Sequence, residues 1–129
     1  PLDYDSMAKA GTMLGSGGMV VMDDTTDMVK AALRIIRFYQ HESCGWCVPC
    51  REGTTWLKKI LVRFHDGRGE RQDIDMIGEL SKSILGRTFC PLGDAAAMPT
   101  IEFVGDKLPS GVRDEFEAHL NGKCPYGQH

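Results

Sequence analysis
No run in this sequence approaches the roughly 20 apolar residues that a membrane-spanning helix needs, so direct membrane insertion is not expected. Positive charge is not in excess either. Fifteen Lys and Arg stand against 18 Asp and Glu, for a formal net charge of -3. That removes the electrostatic footprint of a nucleic-acid binder. No signal peptide is visible, and the chain opens on Pro1 rather than Met, as expected of a fragment. Phosphate-cradling loops are missing as well. "GSGG" at 15–18 is not G-x-G-x-x-G and precedes a strand-like stretch rather than a helix, and there is no G-x-x-x-x-G-K-[ST]. No Ser–His–Asp group stands out. What remains is a chain of 129 residues, 42% hydrophobic, with room for one modest core. At that size a bound cofactor matters to stability.

The first 24 residues differ in character from the rest. "DYDSMAKAG" reads as a short helix with Asp3 or Asp5 near its start and Gly11 stopping it. "MVVM" at 19–22 reads as a short buried strand whose sheet partners lie outside the chain. "DDTTD" at 23–27 marks a boundary. We therefore expect a domain remnant over 1–24 and a helical domain over 25–129.

From Thr26 onward the period is helical. Met28, Val29, Leu33, Ile36 and Tyr39 share a face behind a Thr26 or Asp27 cap. Leu57, Ile60, Leu61 and Phe64 follow on a second helix, begun by Arg51 and Glu52 and ended by "HDGRG". A third runs from about Asp73, with Ile74, Ile77, Leu80 and Ile84 inward and Gly86 as its stop. Asp94 can start a helical turn, but Pro99, Gly105, Pro109 and Gly111 argue against one long helix there. Ser110 can cap "GVRDEFEAHL", which Gly122 closes. The fold class is mainly α, a bundle of about four helices.

Five cysteines is an odd number, and three of them fall in one short stretch, "ESCGWCVPCREG" at 42–53. A disulfide framework spreads its cysteines to close useful loops, so this crowding favours a metal or cluster in a reducing compartment. In C-x2-C-x2-C one tight loop supplies three thiolates. A [4Fe–4S] cube can take three corners from such a loop and its fourth from a remote residue. Turns also aim backbone N–H groups at the anionic cluster. Zinc more often uses two separated pairs, and only one such run exists here. A structural zinc-binding interaction module is the second reading. The fourth ligand is distant, either Cys90 in "RTFCPLGDAA" or Cys124 in "NGKCPYGQH". Cys90 follows the third helix, whereas Cys124 lies near the end, where order is least expected. We take Cys44, Cys47, Cys50 and Cys90, a C-x2-C-x2-C-x39-C pattern. Cys124 reads as a terminal thiol. His41 reads as helix-capping or solvent-facing, His65 and His119 as helix-surface residues, and Trp46 and Trp56 as packing around the cluster and core. Arg51 either offsets cluster charge or is solvated.

"HESCGWCVPCREGT" and "GRTFCPLGDAAAMP" resemble two hallmark segments of the NADH-binding, flavin-carrying subunits of respiratory complex I. "MLGSGGMVVMDD" is similar to the segment joining their ubiquitin-like (SLBB) domain to their C-terminal helical domain. The family also includes diaphorase subunits of NAD-dependent hydrogenases and formate dehydrogenases. The resemblance implies a four-helix bundle holding one [4Fe–4S] cluster on Cys44, Cys47, Cys50 and Cys90, preceded by a short SLBB remnant. It implies an electron-transfer module of an NADH:quinone oxidoreductase, relaying electrons from NADH-reduced FMN toward quinone. FMN and NAD(H) bind outside this chain, whose sequence lacks the family's glycine-rich loop. The implied partners are hydrophilic-arm subunits, especially a [2Fe–2S] thioredoxin-like subunit and a large iron–sulfur subunit. The implied location is peripheral, on the cytoplasmic face of a bacterial inner membrane or the mitochondrial matrix side. One departure is "GDKLPSG" at 105–111, which interrupts the family's final helix.

Overall fold
The computed structural model describes residues 1–105, 112–122, 124 and 126. The expected Ser110 cap lies outside them. Six helices follow in order: α1 (Tyr4–Lys9), α2 (Met28–Glu42), α3 (Val48–His65), α4 (Arg71–Ile84), α5 (Leu92–Val104) and α6 (Val112–Ala118), then a 3-10 turn (Leu120–Gly122). No strand is found among the described residues. "MVVM" departs furthest from the expectation of a buried strand. Met19, Val20 and Val21 are 75%, 80% and 93% exposed. A lone extended segment has no ladder to join, so its apolar residues stay in solvent.

Caps and turn chemistry set most helix ends. Asp3 accepts the Ser6 N–H at 2.8 Å and starts α1. Asp27, rather than Thr26, accepts the Lys30 N–H at 2.9 Å and starts α2. α4 begins two residues before Asp73, whose Oδ2 instead accepts the Glu70 N–H at 2.9 Å. Asp73 is buried, with Arg63 Nη1 3.2 Å from its other oxygen. That partner makes a buried carboxylate tolerable. α5 runs through Pro99 rather than breaking there. Pro99 removes one backbone donor. In the same turn the Thr100 hydroxyl lies 2.8 Å from the Ala97 carbonyl and 2.7 Å from Ser81 Oγ of α4, tying α5 to α4.

α2 packs on α3, α3 on α4, α4 on α5, and α5 returns to α2, while α6 lies against α2 and α5. The core between them takes Val29, Leu33 and Ile36 from α2, Leu57, Leu61 and Phe64 from α3, and Ile74, Ile77 and Ile84 from α4. These are largely the positions that the helical period marks. Ala96 and Ala97 form the small-residue face of α5, and Phe116 of α6 seats on Phe64 edge to face at 5.6 Å.

One contact locks the start of α3 to the end of α4. A Cβ on Gly53 would lie 2.7 Å from both Cγ1 and Cδ1 of buried Ile84. The two helices therefore touch almost backbone to side chain at this point. Gly53→Val should destabilise the protein by about 1–3 kcal/mol through overpacking, although valine is the better helix former. A drop in the urea midpoint checks this; an unchanged midpoint would mean that Ile84 yields freely.

Candidate metal centre
The close approach of Gly53 and Ile84 puts two cysteine-bearing loops at one end of the molecule. The first links α2 to α3 and carries Cys44 and Cys47; the second links α4 to α5 and carries Cys90. α3 starts inside the triple motif, three residues before the expected start at Arg51. Cys47 is its N-cap, Pro49 falls in the first turn, and Cys50 follows within that turn. Proline suits this place, since its missing N–H would have no helical partner there. The position puts Cys50 at the positive end of the helix dipole, where a thiolate is favoured. Cys50 is buried, Cys47 half-buried, and Cys44 and Cys90 are exposed. All four are free thiols.

The loop is held by its own polar groups. Gly45 takes a positive φ of 79°, a conformation that glycine adopts without strain. Its N–H donates to Ser43 Oγ at 3.3 Å, and Ser43 Oγ lies 3.3 Å from Cys50 Sγ. Arg51 Nη1 donates to the Gly45 carbonyl at 2.7 Å, and its Nε donates to Glu52 at 2.9 Å. Arg51 thus braces the loop, a role that spacing alone does not reveal.

The second loop reaches the first. The Phe89 N–H donates to Cys47 Sγ at 3.3 Å, across 42 positions of sequence. Around it, the Thr88 hydroxyl donates to the Cys90 carbonyl at 2.9 Å, and the Gly86 N–H donates to Asp94 Oδ1 at 2.7 Å. Gly93 makes room for Thr88, because a Cβ there would lie 2.6 Å from the threonine side chain. Asp94, expected at the start of a helical turn, lies in the first turn of α5 and reaches back to hold the loop.

This arrangement fits an iron–sulfur group on three counts. The donors are thiols, one sits at a helix N-terminus, and a backbone N–H donates to the Cys47 sulfur while the Ser43 hydroxyl oxygen lies 3.3 Å from the Cys50 sulfur. Among the described residues, the three ligand-type atoms that all lie within 4.8 Å of one another belong to Asp27, His119 and Cys124 instead.

Several flanking residues stand elsewhere than expected. Trp46 and Trp56 are 82% and 51% exposed and do not fill the core. His41 is solvent-facing, as expected, beside Glu42. His119 is buried rather than on the surface. Cys124 is half-buried near Asp27. Tyr126 hydrogen-bonds Glu115, which pushes its phenol up to about 12.

Residues 30–119 match the family described as the NADH-ubiquinone oxidoreductase-F iron-sulfur binding region. The chain is similar to the F subunit of the NADH-quinone oxidoreductase of Mycobacterium bovis, 48% identical over 98% of this chain and 27% of that protein. It is similar to the second F subunit of Rhizobium meliloti, 49% identical over 97% of this chain and 29% of the relative. The F subunit of Streptomyces coelicolor is 42% identical over 98% and 27%. The chain thus spans little more than a quarter of the relatives it matches.

Proposed function
The chain belongs to the NADH-ubiquinone oxidoreductase-F iron-sulfur binding family, and from that premise we propose that it is the electron-relay module of an NADH:quinone oxidoreductase. Cys44, Cys47, Cys50 and Cys90 are the proposed ligands of one [4Fe–4S] cluster. The observation that carries this reading is the Phe89 N–H on Cys47 Sγ, which ties the Cys90 loop to the triple-cysteine loop.

When bound, such a cluster supplies one-electron chemistry. The chain's own residues do the rest. α2 to α5, read as a four-helix bundle, hold the two loops together at one end. Gly45 and Arg51 shape the first loop, and Thr88, Gly93 and Asp94 shape the second. With a thiolate at Cys50 the Ser43 hydroxyl would donate to it, and together with the Phe89 N–H it would stabilise negative charge on sulfur. Burial of Cys50 keeps water from one side.

Residues 25–129 are proposed as this cluster domain and 1–24 as the remnant of an SLBB-type domain. The exposed valines of "MVVM" support the latter, since they lack the sheet that would cover them. FMN and NAD(H) are assigned to the remainder of the parent protein, and the [2Fe–2S] and large iron–sulfur subunits are the proposed neighbours. No helix among the described residues is long and apolar enough to cross a membrane, which supports peripheral attachment to the complex.

Anaerobically prepared protein should carry four irons and four acid-labile sulfides per chain. Dithionite should bleach its broad brown absorbance and raise a paramagnetic signal of a reduced [4Fe–4S] centre. Protein that binds zinc on all four cysteines and takes up no iron would overturn the reading.

A further inference from the structure
A second group of donors lies at the opposite end of α2 from the cysteine loops. Its 15 residues separate the two places by about 22 Å. Here His119 and Cys124 lie beside Asp27, the cap of α2. Asp27 Oδ2 lies 3.5 Å from His119 Nε2 and 3.8 Å from Cys124 Sγ, and the three ligand-type atoms all lie within 4.8 Å of one another. The Asp27 and His119 side chains are 8% and 1% exposed.

Each of the two buried donors is oriented by a bond on its far side. Asp27 Oδ1 is engaged as the helix cap by the Lys30 N–H, which leaves Oδ2 facing the group. His119 Nδ1 lies 2.7 Å from the Glu115 carbonyl oxygen. A carbonyl only accepts, so Nδ1 carries a proton, which makes Nε2 the nitrogen that can offer a lone pair to an ion. Metal-binding histidines use this arrangement, with one nitrogen on a backbone carbonyl and the other toward the ion.

We propose that Asp27, His119 and Cys124 form a zinc site that fastens Cys124 to the N-terminal end of α2. Zinc accepts sulfur, nitrogen and oxygen donors together. From its bond lengths and tetrahedral angles, donor separations of about 3.3–3.7 Å are expected; the 3.5 Å between Asp27 and His119 lies within that range and the 3.8 Å between Asp27 and Cys124 just above it. Binding moves the Cys124 thiol proton to solvent, and the thiolate and the Asp27 carboxylate then balance the dication. Water takes the fourth position. An ion pair of protonated His119 with Asp27 is the simpler account, but it gives the thiol only a weak contact and does not use it.

The test uses the full-length parent protein carrying its iron. The protein is equilibrated with micromolar zinc and desalted, and zinc and iron are counted separately. One zinc per chain is expected, with one sulfur and nitrogen or oxygen donors at the zinc absorption edge. Asp27→Asn keeps a capping oxygen but not the carboxylate, and Cys124→Ser removes the thiol with little change of shape. Each should lower retained zinc by about 10- to 100-fold with iron unchanged. The site is refuted if no zinc is retained, if both variants retain it fully, or if the edge shows an all-sulfur shell, which belongs to the four-cysteine set. The zinc site is judged on zinc and the electron-relay reading on iron, so the failure of one is distinguishable from the failure of the other.

Discussion

Cys90→Ser strips the protein of its iron while leaving the helices folded. Losing an outer partner of a metal ligand already weakens affinity by about 10–100-fold, and losing a ligand should do at least as much. Retained iron and sulfide per chain should therefore fall by about tenfold or more, and the brown absorbance should disappear. The fold should survive in outline, because Cys90 is exposed and contributes nothing to the core. Far-ultraviolet circular dichroism then stays helical while the visible spectrum is lost. Cys124→Ser should keep its iron, since that thiol lies beside Asp27 at the other end of α2. If Cys124→Ser loses the iron and Cys90→Ser keeps it, the fourth-ligand assignment is wrong, whatever the family.

Phe64→Ala should do the reverse, harming stability while sparing the centre. Its side chain is fully buried, meets the Phe116 ring edge to face, and lies so close to Gly69 that a Cβ there would fall 2.5 Å from the ring. Truncating a phenylalanine in such a place removes its transfer energy and leaves a cavity, costing about 3–5 kcal/mol. Against a total stability of about 5–15 kcal/mol, that is a large share. The denaturant midpoint should drop steeply with little change in slope. Phe64 sits 14 positions along α3 from Cys50, about 21 Å by helical rise. The spectrum of the bound centre in native buffer should therefore be unchanged. A variant that lost iron before it lost helix would show that the two ends of α3 are not separable.

The thiol pattern and the helical faces were legible from the sequence because each rests on local spacing. Cys44, Cys47 and Cys50 sit in one loop, and Leu57, Leu61 and Phe64 recur at helical period, so neither needs knowledge of a distant neighbour. What was misread depends on partners. Whether α3 begins at Val48 or Arg51 turns on Pro49, which is as much at home in a first helical turn as in a loop. Pro99 lies within α5, and the Thr100 beside it is tied to Ser81, which belongs to another helix. His119 looked like a surface residue, although its spacing of three from Phe116 places it, one residue past the end of α6, on the same buried side. "MVVM" has the composition of a strand but not the neighbours of one. The bracing roles of Arg51, Thr88 and Gly93 left no periodic signature, because each acts through a contact with a loop backbone or side chain.

The tight seat of Gly53 on Ile84 also bears on how the centre is assembled. Cys50 and Cys90 are separated by 39 residues, and a flexible chain would have to close that loop anew for each binding event. Here α3 and α4 form an antiparallel hairpin of neighbouring contacts, the kind that forms early in folding. Once it has formed, Cys90, the proposed fourth ligand, is presented to the other three thiols at high effective concentration. Incoming iron then meets a receiving end that is already gathered, and the ordering entropy has been met by the apolar hairpin rather than by the metal.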